Sequence, residues 1–240
     1  PGQPTEANGQ KSAGVQSSYQ MPITGDIKLW AGADLEWADM WVEESQDNPL
    51  GVPDNVRYQG QHYDFEVNSQ QFSIFANAEW KPLDKVTIEA GLRYESLDYD
   101  YTNNMIDGST RADGTDCNSN DGSCRYYRPS DRSDKTDDIN FQLGVEFDLT
   151  PATSVYARLS SAYRAPQINE LYRLQKEQEI TTIKPEQLNS IEAGVRYRAK
   201  QWYAELAIYS MDKDQVIVKD SNSYIVNDGQ TSHQGIEWKL

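Results

Sequence analysis

The feature that most constrains this chain is a strict two-residue alternation of apolar and polar side chains, repeated many times. Phe72, Ile74, Ala76, Ala78 and Trp80 fall on one side, and Ser73, Asn77 and Glu79 on the other. Successive side chains of a strand point to opposite faces, so a period of two marks a strand with one apolar face. Val86, Ile88, Ala90, Leu92 and Tyr94 repeat the pattern, as do Phe141, Leu143, Val145, Phe147 and Leu149. Further runs hold Ile27 to Leu35, Val155 to Leu159, Ile191 to Tyr197, Trp202 to Ile208, and Ile236, Trp238 and Leu240. With a weaker strand over 14–21, the pattern predicts about nine strands. No segment shows a helical period.

Alternation does not say what the apolar face meets, since a soluble β-sandwich has the same pattern. The connections decide. Short turns at Pro22–Asp26, Pro82–Lys85, Thr150–Ser154 and Lys200–Gln201 alternate with long polar stretches over Ser45–Gln70, Thr102–Asp137 and Arg164–Asn189. All short turns then lie at one end of the sheet and all long loops at the other, as in a barrel that spans an outer membrane. The clean apolar stretches approach the roughly 9–11 tilted residues that cross the hydrocarbon. Trp80, Trp202 and Tyr94 end those stretches, where an aromatic girdle belongs. The other face carries Lys28, Asp34, Glu79, Glu89, Arg93, Glu146, Arg158, Glu192, Arg196 and Glu205, which suits a water-filled or plugged lumen. The fold class expected is all-β: the antiparallel wall of a transmembrane β-barrel.

Composition is compatible with this. Mean hydropathy is −0.80, because a barrel strand shows lipid only every second residue. Across 240 residues, 38 Asp and Glu outweigh 22 Lys and Arg, an excess that repels phosphate backbones and argues against a nucleic-acid partner. The first residues show no secretory signal. The two cysteines, Cys117 and Cys124, lie in a segment rich in Asp, Asn, Ser and Gly and are expected to form a small-loop disulfide, which implies an oxidising compartment. Two thiolates without a nearby His supply too few ligands for zinc. Asp116 to Cys124 also has the outline of an Asp-x-Asn-x-Asn calcium loop, but its glycine comes one place late and the distal Glu is missing. The two histidines, His62 and His233, are isolated and expected in loops or at strand ends.

Four segments in the second half carry a resemblance. Ser161-Ala-Tyr-Arg-Ala-Pro-Gln-Ile-Asn-Glu-Leu-Tyr172 looks like a strand leaving for an outer loop in the barrels of TonB-dependent receptors. Ile183 to Tyr197, with its Pro-Glu and Glu-x-Gly, resembles the returning strand of that family. Ala204–Val218 is similar to the next upward strand, and Asn227 to Glu237 to the descending one. Pro166 and Pro185 cannot donate to a ladder and suit the margins where pairing ends. Gly91, Gly144, Gly194 and Gly235 lie on the lumen face, leaving room for large neighbours or permitting twist.

The resemblance implies an outer-membrane receptor that imports a scarce nutrient, most often a ferric siderophore, gated by an N-terminal plug and energised through TonB. No plug and no TonB box stand in residues 1–240, and nine strands are fewer than half of the about 22 in such a barrel, so the chain is expected to be part of the barrel domain alone. Partners implied are outer-membrane lipid, the TonB complex and a siderophore-like iron chelate; no cofactor is expected. Candidate contacts for that chelate are Tyr99 and Tyr101, inward by parity; Tyr126, Tyr127 and Arg128 in the longest loop; and Tyr163 and Arg164 at a strand mouth. Aromatics with Arg suit an anionic, aromatic chelate. No nucleophile–base set, phosphate-cradling loop or redox pair points to an enzyme. A passive porin-type barrel and a soluble β-sandwich binding module are the competing readings.

Overall fold

In the computed structural model, residues 4–48, 58–115, 126–175, 178 and 183–240 are described. The strands are β1 (Thr5–Pro22), β2 (Ile27–Gln46), β3 (Gly60–Leu83), β4 (Val86–Asn103), β5 (Tyr126–Tyr127), β6 (Arg132–Thr150), β7 (Thr153–Arg164), β8 (Leu174–Gln175), β9 (Glu186–Arg198), β10 (Tyr203–Lys219) and β11 (Ile225–Lys239). Nine of them form one antiparallel sheet in the order β1-β2-β3-β4-β6-β7-β9-β10-β11, while β5 and β8 pair apart from it. The sheet is therefore a simple meander, and β5 and β8 step out of it as pieces of the long loops. A single helical turn, α1 (Ile168–Tyr172), lies between β7 and β8.

Register shows why the alternation matters. One row of outward residues runs Ile27, Trp80, Ile88, Val145, Ala157, Ala193, Ile208, Ile236 across eight strands. The row beside it, on the other face, runs Lys28, Glu79, Glu89, Gly144, Arg158, Glu192, Tyr209, Gly235. A slip of one residue in any strand would exchange its two faces. Phe141, Leu143, Val145 and Ile191 are 47, 48, 45 and 54% exposed, and among the described residues no second sheet covers them. An open apolar face of this size, continuous across strands joined by short turns at one end, suits a surface covered by lipid. The sandwich reading fails on this point.

The opposite face is a ladder of paired charges. Arg93 donates to Asp34 at 2.7 Å, to Glu95 at 3.0 Å and to Ser73 Oγ at 2.6 Å. Lower down, Arg196 donates to Glu146 and Glu205, each at 3.0 Å, with its guanidinium 3.8 Å from the Tyr156 ring centre. Gly194 makes room for that ring, since a Cβ there would stand 2.7 Å from Tyr156 Cε1. Gly235 does the same beneath Tyr209. Gly91 faces Asn77 and Gln142 as closely, whereas a Cβ on Gly144 would meet nothing nearer than 3.7 Å, so crowding does not account for that glycine.

Three expectations are corrected. The stretches Ser45–Gln70, Thr102–Asp137 and Arg164–Asn189 are not loops throughout: β2 continues to Gln46, β3 begins at Gly60, β4 ends at Asn103 and β6 begins at Arg132. The apolar pattern tracks lipid, whereas backbone pairing continues above it with outward Ser96, Asp98 and Asp100. A helical turn exists at α1, too short to show a period, with Glu170 accepting from the Gln167 backbone N–H at 2.7 Å. His233 sits within β11, opposite Met211, not in a loop or at a strand end. Pro166 and Pro185 do flank the pairing, next to the ends of β7 and β9.

Candidate functional site

Above the apolar belt the upper strands and two long loops build a second, compact structure over the inner face. Its core is Val42, Tyr58, Tyr63, Phe65, Val67, Tyr101, Tyr126 and Tyr172. Tyr101 stacks on Tyr172 with centres 4.3 Å apart, Phe65 lies 5.3 Å from Tyr101, and His62 stacks on Tyr126 at 4.2 Å. Aromatic pairs at these separations add stability beyond the area they bury. Tyr63 donates to the Leu174 carbonyl at 2.8 Å, Tyr172 donates to Asp134 at 3.0 Å, and β5 pairs with β8. Residues 126–131 and residues 165–175 are thereby joined into one canopy. Burial pushes the Tyr63 and Tyr101 phenols up, so both stay neutral.

The residues singled out from sequence divide into two groups. Tyr101, Tyr126 and Arg128 come together inside the canopy, with Tyr99 packed against its edge and Tyr127 paired opposite Leu174. Arg128 is fully buried, and its guanidinium reaches the Ile106 carbonyl at 2.7 Å, the Thr110 carbonyl at 2.6 Å, Thr110 Oγ1 at 2.9 Å, and the Tyr58 hydroxyl and His62 carbonyl at 3.3 Å. A group so enclosed by acceptors fastens loops. Tyr163 and Arg164 stand apart from this core. Tyr163 donates to Glu95 at 2.7 Å, and Arg164 holds Glu170 through two bonds of 3.0 Å and Glu186 at 2.6 Å. That bond from Arg164, helped by Lys213 and the Ile217 backbone N–H, holds the Glu186 carboxyl down to about 2. Cys117, Cys124 and the calcium-like segment lie outside the described residues.

Beside the canopy opens a cleft of about 420 Å³, bounded by Glu44, Tyr63, Tyr126, Asn169, Glu170 and Arg173 on one side and by Ile217, Val218, Lys219 and Ile225 on the other. Pro4 also borders it, so the sheet curls far enough for both of its margins to reach one space. Arg173 is the cation set into the canopy wall. It bonds Glu6 at 2.8 Å and Glu44, and its guanidinium lies 5.4 Å from the Tyr63 ring centre. Glu44 in turn holds His62 Nδ1 at 3.0 Å, while His62 Nε2 meets the Tyr58 carbonyl at 2.8 Å. The arrangement offers one part-exposed guanidinium, aromatic rings and carboxylates around a space sized for a small molecule.

Glu44, His62, Tyr63, Tyr172 and Arg173 are therefore the residues sequence reading missed. A usable signal existed for one set: Tyr63, Phe65 and Val67 alternate with Asp64, Glu66 and Asn68. Arg173 carried no signal, because its partners lie 167 and 129 residues away.

Comparison with known proteins places this architecture. The sequence profile of the TonB-dependent receptor-like β-barrel matches residues 2–240. The hemophilin receptor of Acinetobacter baumannii is 29% identical over 119 residues, covering 45% of this chain and 11% of that protein. Among solved structures, the copper transporter OprC superposes with a TM-score of 0.70 at 17% identity, over 97% of this chain and 34% of its own. The ferric-catecholate import receptor Fiu of E. coli K12 does so at 0.65 and 14% identity, over 97% of this chain and 35% of its own. The chain thus spans about a third of those structures, and its open apolar face belongs in the outer membrane of a Gram-negative bacterium. It is part of a β-barrel of the TonB-dependent receptor family, a family of receptors and transporters rather than enzymes.

Proposed function

We propose that this wall belongs to a receptor that captures an anionic iron chelate, of the ferric siderophore class, and imports it with energy supplied through TonB. The observation that carries the reading is Arg173, set over the Tyr63 ring and facing the cleft. A guanidinium beside aromatic rings suits an anionic, aromatic ligand through paired hydrogen bonds, stacking and cation–π contact. The charged inner face, with the Arg93 network at mid-wall and the Arg196 network near the short turns, suits a lumen closed by a plug that precedes the barrel in the complete receptor. Membrane lipid covers the outer face.

The test is accumulation of labelled iron by cells lacking the receptor and by the same cells carrying it. Restored uptake of a ferric catecholate, lost again when TonB is deleted, is the expected result. Unchanged uptake across a panel of siderophores would remove the siderophore class and send the search to haem, cobalamin or glycan. A second reading, capture of a hemophilin-like partner at the loop tips, is favoured by the Acinetobacter relative. It would appear as binding of hemophilin without binding of any free chelate.

A further inference from the structure

Two arginines of the canopy stand in opposite circumstances. Arg128 is fully buried among carbonyls and hydroxyls of its own loop, at Ile106 and Thr110, and of Tyr58 and His62. Arg173 ties α1 and β8, the strap over 165–175, to the wall: to β1 through Glu6 and to β2 through Glu44. Its side chain is 23% exposed and borders the cleft.

We propose that Arg173 is a displaceable latch: anionic cargo entering the cleft takes its guanidinium from Glu6 and Glu44 and so frees the strap from the β1–β2 wall. This rests on the cleft being the cargo site. Removing one member of a buried ion pair is costly when it strands the other, and here each carboxylate keeps a second partner, Asn8 on Glu6 and His62 on Glu44. Glu6 is 35% exposed, so water takes the place of the guanidinium. Glu44 is buried but borders the cleft, and its other oxygen keeps His62 Nδ1 at 3.0 Å. The guanidinium itself exchanges two separate carboxylates for a pair of anionic oxygens on one ligand, a fork it matches in plane and spacing. No such exchange is open to Arg128.

The latch can be read with and without cargo, in the complete receptor, by nitroxide pairs at Ala7 on β1 and Asn169 on the strap. Keto-bearing unnatural residues carry the labels, sparing Cys117 and Cys124. The wild type without cargo should give a narrow distance population, and Arg173→Gln should lose it. A saturating ferric catecholate should move the wild type to the distribution of Arg173→Gln and leave that variant's distribution unchanged, with affinity weakened about tenfold by the lost charged bonds. Arg173→Lys, which lacks the fork, should bind the chelate as weakly as Arg173→Gln while retaining more of the narrow population. Thermal unfolding of each variant serves as the check on folding.

An unchanged narrow distance in a folded Arg173→Gln overturns the latch. So does a wild type that binds the chelate, by fluorescence quenching, with no change in distance; the cargo reading then stands alone. If the wild type binds no chelate while Arg173→Gln loosens the strap, the cargo reading fails, and with it the trigger proposed for the ion pair.

Discussion

The apolar belt and the canopy above it are built from the same strands by different means. In the belt each outward side chain meets lipid, so order comes from a pattern repeated residue by residue; Ile88, Val145, Ala157, Ala193 and Ile208 align because every strand keeps one parity. In the canopy the outward positions of the same strands turn polar and the inward ones become a core, as in Tyr63, Phe65 and Val67 against Asp64, Glu66 and Asn68. The belt needs no partner from elsewhere in the chain. The canopy is made of contacts between segments far apart, and local opening should begin there.

The largest expected effect separates the two directly. Tyr172 is fully buried at the junction of strap, β4 and β6, stacked on Tyr101 and bonded to Asp134. Tyr172→Ala removes a ring from a packed core, at a cost of about 3–5 kcal/mol. Hydrogen exchange should then lose protection over β5 and β8 while β6 and β9 at belt height keep theirs. Equal loss in both regions would mean that canopy and belt form one cooperative unit.

Leu143→Arg probes the other side. An Arg at mid-bilayer on the lipid face costs about 2–4 kcal/mol, and Leu143 is on the open apolar face. Insertion into vesicles, followed by the heat-dependent gel shift of folded barrels, should show the loss. Its neighbour across the parity, Gln142→Arg, faces the lumen and should cost far less. Similar losses for both would break the assignment of faces.

Gly194→Val tests the inner wall between these extremes. The new side chain would meet the Tyr156 ring and the Leu206 carbonyl, each 2.7 Å from its Cβ. Overpacking of this kind costs about 1–3 kcal/mol, and pairing with Tyr156→Ala should recover part of it. No recovery would mean that the glycine serves the backbone rather than the ring.

The comparison also explains what could be read in advance. The nine strands, their order of turns and the lipid face follow from local parity, and Phe141, Leu143 and Val145 needed nothing beyond their neighbours. The same counting places Tyr101 inward, where the canopy core holds it. Over Ser45–Gln70 polar outward residues hide the alternation of Tyr63, Phe65 and Val67, so the sequence alone predicts a loop there. Arg128 stands in the longest loop beside two tyrosines, and its sequence neighbours say nothing of the groups that enclose it, at Thr110, Ile106 and Tyr58, which are 18, 22 and 70 residues away. Counting along a strand cannot find such neighbours.

The smallest effect is a titration. Glu186 begins β9, five residues above the apolar Ile191, where Arg164 and Lys213 reach its carboxylate, each at 2.6 Å. Its carboxyl is held at about 2 against an ordinary 4.5, so the folded canopy binds this proton less readily than the unfolded chain does. The stabilisation is therefore complete above about 4.5 and lost as pH falls through about 2. Glu186→Gln should be less stable than the wild type near neutrality, and the gap should close across that window. Arg164 is 38% exposed, so salt will shrink the gap as well. Hydrogen exchange over β8 and the start of β9, measured at several pH values, gives the profile. A gap that persists unchanged at pH near 2 would show that shape, not charge, joins the strap to β9.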